Sequence, residues 1–386
     1  MKNKNKKNIC IFSGYYLPHL GGVERFTDKF AYELNTMGYD VSIVSFMHEP
    51  LQEIETKSYC TIYRVPCTKL FLSRYPVVKI FGRKIKHIEK TLNSKNFDFI
   101  ILQTRFFTTS LWGAKFAKKN NIPSILIEHG TNHFSVNNKI LDFFGEKYEH
   151  FLTSILKKYV KYFYGVSTPC TKWLEHFGIE ARGVIYNSVS SIKPVVKKPL
   201  KDRNIRICYA GRLMKEKGVL NLISVFKKLN NKYQNIELFI AGKGPLYEDL
   251  YSNYKDSESI HILGMLDYEN VMKLYTDTDI FVHPSMYPEG LPTSILEAGI
   301  NGCAVVATDR GGTVEVINDE KYGIIIEENE KSLYNALENL IENPDKIVVL
   351  GNNLYKRILN NFTWEATVKK FINQMEEVEE DYYAKN

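Results

Sequence analysis

Short apolar runs alternate with amphipathic stretches along most of the chain. Five runs in the first half have the length of buried strands, near residues 9–13, 41–46, 98–103, 124–128 and 163–167. Helical patterns separate these runs, and the second half of the chain repeats the scheme. Regular alternation of strands and helices predicts an α/β fold with doubly wound, mostly parallel sheets.

One helix shows the pattern clearly. Residues 22–37 place Val23, Phe26, Phe30 and Leu34 on one face, and Gly38 follows where a helix C-terminal cap is expected. A polar segment with two prolines, residues 188–202, predicts the boundary between two domains.

Composition agrees with two domains. The 386 residues exceed what one core usually supports, and 44% of them are hydrophobic. The six cysteines form no CxxC pair, which favours a reducing compartment and gives no metal site. The apolar segment before Gly14 is too short for a signal peptide or a membrane span, so a cytoplasmic protein is expected.

Charge is distributed unevenly around a net value of +7. Residues 1–188 carry the surplus of lysine and arginine, whereas residues 189–386 are acidic on balance. Two basic segments rich in aromatic residues, 69–90 and 151–165, suit peripheral contact with an anionic membrane, and equally suit ordinary amphipathic helices. The last residues of the second segment also read as a core strand. No segment resembles a base-reading module, so nucleic acid is not an expected partner.

The segment PSMYPEGLPTSILEAG, residues 284–299, places Glu289 on a loop and Glu297 in the helix that follows. Pro288, Gly290 and Pro292 favour the loop, and the apolar run after it favours a buried helix. The start of a helix attracts phosphate because its first N–H groups lack partners within the helix. The spacing alone also fits a capped helix with two solvated acids.

Two further strand ends carry glycine and positive charge. The strand at 205–210 ends in Gly211 and is followed by Arg212 and Lys217, an arrangement suited to binding an anion. The strand at 238–241 ends in Gly242 and Gly244, where backbone could approach a ligand closely. A solvated basic loop and a plain turn are the alternatives.

Taken in order, GRLMKEKG, AGKGP, HILGML and PEGLPTSILEAG resemble the donor half of retaining glycosyltransferase family 4, and ICIFSGYYLPHLGGVERF with SILIEHG resembles its first half. The resemblance implies the GT-B fold, two Rossmann-like doubly wound domains facing each other across a cleft. It implies an acceptor-binding domain at 1–188, a donor-binding domain at 189–365, and a C-terminal helix at 366–386 that returns to the first domain.

The resemblance also implies roles for individual residues. Arg212 and Lys217 would neutralise the departing diphosphate, Glu289 would hold the donor sugar, and His129 would contact that sugar near C6. Glu297 would accept hydrogen bonds from the ribose. The remaining donor-binding residues implied are Gly21, Gly22, Gly211, Gly242, Gly244, Met265, Gly290, Leu291 and Thr293. The leaving phosphate would itself act as the base, and no cofactor is implied.

The pair Asp277 and Asp279 has the DxD spacing that elsewhere holds a metal, but Asp279 leads directly into a buried strand, so no metal is expected. The implied partners are a nucleotide-sugar, with UDP expected, and a glycan or lipid-linked acceptor of the bacterial cell envelope, such as lipopolysaccharide or capsule. A GT-B-fold epimerase and a non-catalytic sugar-nucleotide-binding protein are the alternatives, although the extra acids and histidines of an epimerase are not evident.

Overall fold

The computed structural model describes residues 6–19, 21–70, 75–79, 82–133, 138–194, 200, 203–287 and 289–385. The chain divides into two compact units. Unit 1 comprises Met1–Asn187 with Thr367–Asn386, and unit 2 comprises Ser188–Ala366. This division lies one residue before the predicted boundary, and the end of the chain belongs to unit 1.

Unit 1 alternates strands and helices as the apolar pattern predicts. Its elements are β1 (Asn8–Phe12), α1 (Gly22–Thr36), β2 (Asp40–Met47), β3 (Ile54–Thr56), β4 (Thr61–Leu70), β5 (Tyr75–Val78), α2 (Arg83–Asn93), β6 (Phe99–Gln103), α3 (Thr108–Lys119), β7 (Ser124–Glu128), α4 (Lys139–Leu156), β8 (Tyr162–Gly165), α5 (Thr168–Glu175) and β9 (Gly183–Val184). Within the described ranges the sheet order is β3-β4-β2-β1-β6-β7-β8-β9, with β5 paired to β4.

The strands of this sheet are parallel except β3 and β5, which pair antiparallel with β4. The central strands are buried along their whole length because helices cover both faces, which explains their continuous apolar runs. The chain order reverses at β1, between β2 and β6, so the crevice beyond the carboxyl ends of β1 and β6 is the place where such sheets bind ligands.

Unit 2 is a second parallel sheet with its own core. Its elements are β10 (Ile205–Ala210), α6 (Val219–Asn230), β11 (Ile236–Ala241), α7 (Tyr247–Tyr254), β12 (Ile260–Gly264), α8 (Tyr268–Asp277), β13 (Ile280–His283), α9 (Thr293–Ile300), β14 (Ala304–Thr308), α10 (Thr313–Val316), β15 (Ile324–Ile326), α11 (Glu330–Glu342) and α12 (Pro344–Asn361). All strands are parallel in the order β12-β11-β10-β13-β14-β15, and the order in which the chain adds strands reverses between β10 and β13. The parallel Rossmann-like sheets predicted from the sequence are confirmed.

The last helix, α13 (Trp364–Ala384), begins in unit 2 and continues in unit 1. Its apolar stripe is buried in unit 1, where Phe371 packs edge-on against Phe30 with ring centroids 4.9 Å apart. Toward its end Glu379 accepts a 2.6 Å bond from Lys7, and Asp381 pairs with Arg182. Apolar packing therefore holds the helix, and the ion pairs fix its end.

The segment 69–90 is not a continuous amphipathic helix, which corrects the sequence prediction. It contains the end of β4, the strand β5 and the start of α2. The alternating pattern around Pro76 pairs antiparallel with β4 and does not follow a helical period. Val78 is buried, and the basic residues of α2 are exposed on the opposite side from its buried stripe. Phe71, Leu72, Ile80 and Phe81 lie outside the described residues.

The second basic segment, 151–165, is also divided. Its first part is the end of α4 and its last part is the buried strand β8. Among the residues whose placement is described, every helix is too short or too polar to cross a bilayer.

Candidate active site

The best-formed site of unit 2 lies where β10 and β13 end side by side. Backbone hydrogen bonds join the loops after these strands, since the N–H of Met286 donates to Glu216 (2.8 Å). They also join the ends of β10, β11 and β12: the N–H of Gly211 donates to Ala241 (3.1 Å), that of Leu213 to Lys243 (3.0 Å), and that of Gly242 to Gly264 (2.7 Å). We call these joined loops the strand-end platform. Its backbone groups satisfy one another, so its shape does not depend on side chains.

Two glycines make this close approach possible. Gly242 has φ +134°, and a Cβ atom there would lie 1.9 Å from the carbonyl oxygen of Gly211. Gly218 has φ +73°, and its Cβ would lie 2.0 Å from the carbonyl oxygen of Pro284. No other residue type fits either position, because both need a backbone conformation and a space that exclude a side chain. A Cβ at Gly244, also predicted from sequence, would likewise come too close to the backbone of Leu213.

Lys217 and Glu289 meet at this platform. Their side chains form an ion pair, and Ser285 Oγ lies 3.1 Å from the same carboxylate oxygen of Glu289. His283, at the end of β13, places Nε2 3.6 Å from that oxygen. Burial raises the pKa of Glu289, but the nearby imidazole of His283 and the charge of Lys217 outweigh burial and lower the pKa to about 2. Glu289 is therefore ionised at every physiological pH.

Arg212 follows Gly211 on the same platform, and its side chain is exposed. Unlike Lys217, which is mostly buried against Glu289, this guanidinium is open to solvent. An exposed guanidinium and a mostly buried ammonium on one loop suit a diphosphate, since the first offers a planar pair of donors and the second a point charge.

The loop before α9 places the other predicted donor contacts. Leu291 is buried, the carbonyl of Gly290 accepts a 2.7 Å bond from the N–H of Gly312, and Thr293 is the first residue of the helix. Pro292 occupies the N-cap and supplies no side-chain cap. The first N–H groups of α9 therefore receive no side-chain cap, and such groups, with the positive end of the helix dipole, attract anions. Pro288, within the predicted loop, lies outside the described residues.

Two further predicted residues, Glu297 and Met265, lie on α9 and just after β12. Glu297 is half-buried one turn into α9, and its backbone carbonyl accepts a 2.8 Å bond from Asn301 Nδ2. Met265 follows Gly264 at the end of β12, and its side chain is 69% exposed. A side chain so exposed is not part of the core, and it leaves room on the surface for a flat aromatic ring.

In unit 1, His129 follows β7 directly. Its Nε2 lies 2.6 Å from Gln103 Oε1, and Phe26 packs edge-on at 4.9 Å. Burial lowers the pKa of His129 to about 4, although the charge of Glu128 opposes the shift. The imidazole is consequently neutral near pH 7, and it can donate or accept a hydrogen bond without carrying charge.

Behind His129 lies a buried ionic network that the sequence motifs did not indicate. Arg105 donates to Glu128 at 2.8 Å and to Glu149 at 2.6 Å, and all three side chains are at most 1% exposed. The other carboxylate oxygen of Glu128 accepts the backbone N–H groups of His129 and Gly130, each at 3.0 Å. One signal could have found it: Glu128 is a charged residue ending an otherwise apolar strand.

Gly21 and Gly22 stand at the start of α1, where Gly21 is the N-cap. The buried carboxylate of Glu24 lies in the first turn, close enough to Gly21 that a Cβ there would lie 2.4 Å from Glu24 Oε2. A Cβ at Gly22 would meet nothing within 4 Å. Of the two glycines, Gly22 is therefore the one that has free space around its Cα.

The DxD acids lie at the other end of the unit 2 sheet, before β13. Asp279 is 2% exposed and receives both arms of the Arg203 guanidinium, at 2.6 and 2.7 Å, and the N–H of Arg206 at 2.9 Å. Asp277 is exposed and lies 3.9 Å from Arg206. The buried acid is thus engaged by arginine, and the pair ties strand starts together.

Of the residues predicted on unit 2, the structure places Lys217 and Glu289 in contact and Gly211 and Gly242 against each other, with Arg212 and Leu291 on loops and Thr293 at the start of α9. Gly21, Gly22 and His129 belong to unit 1.

Comparison with known proteins finds relatives over most of the chain. Residues 192–357 match the family model for group 1 glycosyl transferases, and residues 20–191 match that for glycosyltransferase family 4. An uncharacterized glycosyltransferase of Methanocaldococcus jannaschii is 30% identical over 383 residues, which cover 95% of this chain and 97% of that protein. A human subunit of phosphatidylinositol N-acetylglucosaminyltransferase is 26% identical, over 94% of this chain and 74% of its own.

Solved structures show the same fold at lower identity. Sucrose-phosphate synthase from Thermosynechococcus elongatus superposes with a TM-score of 0.77 at 18% identity, covering 99% of this chain and 100% of the other. Anabaena HepE in complex with UDP-glucose superposes with a TM-score of 0.70 at 15% identity, covering 96% and 99%. Both likenesses concern the arrangement of strands and helices.

Proposed function

The chain belongs to the family 4 glycosyltransferases, and from this premise we propose that it transfers a sugar from a UDP-sugar to a glycan or lipid-linked acceptor of the cell envelope, with retention of anomeric configuration. That it is a glycosyltransferase of the GT-B type follows from the family. The donor, the acceptor and the course of the reaction are the proposal.

The pairing of Lys217 with Glu289 at the strand-end platform carries the proposal. A cation and an anion held at one edge suit a ligand that is anionic at one end and rich in hydroxyls at the other, which describes a nucleotide-sugar. On donor binding, Lys217 would exchange its carboxylate partner for a phosphate oxygen, beside Arg212. Glu289 would then be available to accept hydrogen bonds from sugar hydroxyls.

The charges fit the reaction step. As the bond between the anomeric carbon and the diphosphate oxygen breaks, negative charge grows on the leaving group, where Arg212, Lys217 and the first N–H groups of α9 would stabilise it. The acceptor oxygen bonds to the same face of the anomeric carbon, and its proton passes to the departing phosphate. No protein base is needed, and we propose that the transfer requires neither a cofactor nor a metal.

His129 would act through hydrogen bonding. With its pKa lowered to about 4, the imidazole is neutral when the enzyme works, so it would orient a hydroxyl near C6 of the sugar without transferring a proton. Gln103 holds the ring in place at 2.6 Å. Glu297 would accept from the ribose and Met265 would lie at the base.

Two relatives support the choice of substrates. The human phosphatidylinositol N-acetylglucosaminyltransferase protein is named for a lipid acceptor, and HepE was solved with UDP-glucose. A capsular polysaccharide glycosyltransferase of Staphylococcus aureus, 25% identical over 47% of this chain and 49% of its own, gives the envelope setting.

We also propose that the protein is cytoplasmic and contacts a membrane peripherally. The surface of α4 supports this contact. Four exposed apolar residues lie along one face of this helix, with Lys147 over the ring of Phe143: Ile140, Phe143, Phe144 and Phe151. Aromatic rings flanked by lysines suit the headgroup region of an anionic bilayer. This stripe is a stronger candidate than the segment 69–90, whose apolar pattern is divided between a strand and a helix.

The decisive experiment has two stages. Calorimetric titration of UDP, GDP and ADP into the purified chain is expected to show selective binding of UDP, weakened by Arg212→Ala and Glu297→Ala. Incubation with UDP-sugars and lipid-linked acceptors is then expected to give a glycoside whose anomeric configuration, measured by NMR, matches the donor.

Each stage has an outcome that contradicts part of the proposal. Equal binding in both variants would remove the platform from the donor site. Binding without product, over a panel of acceptors, would favour the non-catalytic sugar-nucleotide-binding protein, and conversion of the donor sugar alone would favour the epimerase. Loss of transfer in EDTA that Mg²⁺ or Mn²⁺ restores would contradict metal independence.

A further inference from the structure

Three histidines from three separate elements of unit 1 converge at one point. His133 lies in the segment after β7, His150 on α4, and His176 at the end of α5. Nε2 of His176 is 3.3 Å from Nε2 of His133 and 3.2 Å from Nε2 of His150. One ring nitrogen from each residue lies within 4.8 Å of the other two.

Hydrogen bonding among the rings does not account for this geometry. A neutral imidazole carries one N–H and one lone pair, so Nε2 of His176 can serve either contact but not both. His133 places Nδ1 3.0 Å from the buried carboxylate of Glu149, which fixes the Nδ1–H tautomer and leaves a lone pair on Nε2. That lone pair is directed at the cluster.

The spacing matches a tetrahedral metal site. With Zn–N bonds of about 2.0–2.1 Å, two ligand nitrogens at the tetrahedral angle lie about 3.3 Å apart. Two of the three nitrogen separations, 3.3 and 3.2 Å, equal that edge, and the third lies within 4.8 Å, so it would shorten as the ion binds. Glu146 lies one turn before His150 on α4 and places Oε1 3.9 Å from Nε2 of His133, within reach as a fourth ligand.

The surroundings resemble those of a bound metal. Glu149 is fully buried and is itself held by Arg105 at 2.6 Å, so the group that orients His133 is fixed in turn. The indole of Trp173 stacks on the ring of His176 with centroids 4.8 Å apart and planes 6° apart.

We propose that His133, His150 and His176, with Glu146 as fourth ligand, bind one Zn²⁺ ion. The ion would join α4 and α5 to the segment that follows His129. Its role is structural, because it would be bound through four protein ligands and would leave no open position for substrate. The proposal is independent of the transfer reaction and of its donor.

Metal content and optical spectra of the full chain, expressed without a histidine tag, test the proposal. We expect one equivalent of zinc per chain after purification with zinc present. Replacement of zinc by Co²⁺ is expected to give the intense visible absorption of a tetrahedral site. His150→Gln and His176→Gln are expected to weaken zinc binding at least 100-fold in competition with a chelator, and Glu149→Gln about 10- to 100-fold.

His87→Gln, which changes an exposed histidine of α2, is the matched control and is expected to bind zinc as the wild type does. Zinc is expected to raise the melting temperature of the wild type and of the control but not of His150→Gln. If a histidine variant fails to fold, Glu146→Gln, at a half-buried helix position, replaces it. Absence of zinc binding in the wild type, or equal affinity in the cluster variants and the control, would overturn the proposal.

Discussion

The strand ends of the two units hold their charged groups by different means. In unit 2, backbone hydrogen bonds and glycine contacts join the loops, and the ion pair of Lys217 with Glu289 lies on top of that framework. In unit 1, the segment after β7 depends on Arg105, whose guanidinium is buried between two carboxylates. A backbone framework tolerates loss of its charges, whereas a framework made of charges does not.

The largest effect is expected from Arg105→Met. Removal of the guanidinium leaves Glu128 and Glu149 buried without their cation, which costs about 3–5 kcal/mol of unfolding free energy. Arg182→Met is the matched control, since its pair with Asp381 is more exposed and should cost less than about 1 kcal/mol. Denaturant unfolding of the two variants measures the difference, and equal midpoints would remove the contrast between the units.

Glu289→Gln is expected to affect activity more than folding. The neutral amide would accept weaker hydrogen bonds from the donor sugar, at a cost of about 1.5–3 kcal/mol, or roughly 10- to 100-fold in kcat/KM. The backbone framework around it should keep the fold intact. A loss of stability as large as that of Arg105→Met would show that unit 2 also depends on its charges.

Gly242→Ala tests the framework itself. Its Cβ would lie 1.9 Å from the carbonyl oxygen of Gly211 at a φ that side chains avoid, so we expect a loss of about 1–3 kcal/mol of unfolding free energy and weaker UDP binding. Calorimetric melting with a parallel nucleotide titration measures both. Unchanged melting would mean that the loops can separate without cost.

The two units should also respond to acid in different pH ranges. His129 has a pKa of about 4 when folded against 6.5 when unfolded, so the unfolded state binds the extra proton and stability falls as pH decreases from about 6.5 to 4. Glu289 has a pKa of about 2 against 4.5, so its contribution is lost between about pH 4.5 and 2.

The dependence of unfolding free energy on pH should therefore respond to a separate variant in each of the two ranges. His129→Asn is expected to flatten the upper range and Glu289→Gln the lower one. If His129→Asn leaves the curve between pH 6.5 and 4 unchanged, burial of that imidazole does not perturb its proton binding.

The same contrast explains what the sequence could predict. In unit 2, Gly211, Lys217, Gly242 and Glu289 follow their strands within a few residues of sequence. Because ligands bind beyond the carboxyl ends of parallel strands, the sequence predicts that these residues lie together. The central strands of unit 1 were equally evident, because burial on both faces makes them continuous apolar runs.

The remaining features depend on contacts between residues distant in sequence. Arg105 meets partners 23 and 44 residues away, and the three clustered histidines come from a segment and two helices that no motif connects. The region 69–90 was wrongly predicted because alternation over few residues resembles one face of a helix, and only its pairing with β4 decides the matter.

The smallest effect on stability is expected from Gly22→Ala, which sharpens the comparison at a position where neither framework is involved. A Cβ there meets nothing within 4 Å, and alanine is the better helix former, so stability should be unchanged or rise by up to about 1 kcal/mol. If the backbone of Gly22 approaches the diphosphate, the added methyl group should still raise KM for the donor while melting is unaffected. Gly21→Ala, whose Cβ would displace only the flexible end of Glu24, serves as a second variant that should also keep its stability. An unchanged KM in Gly22→Ala would remove the start of α1 from the donor site and leave unit 2 to bind the diphosphate alone.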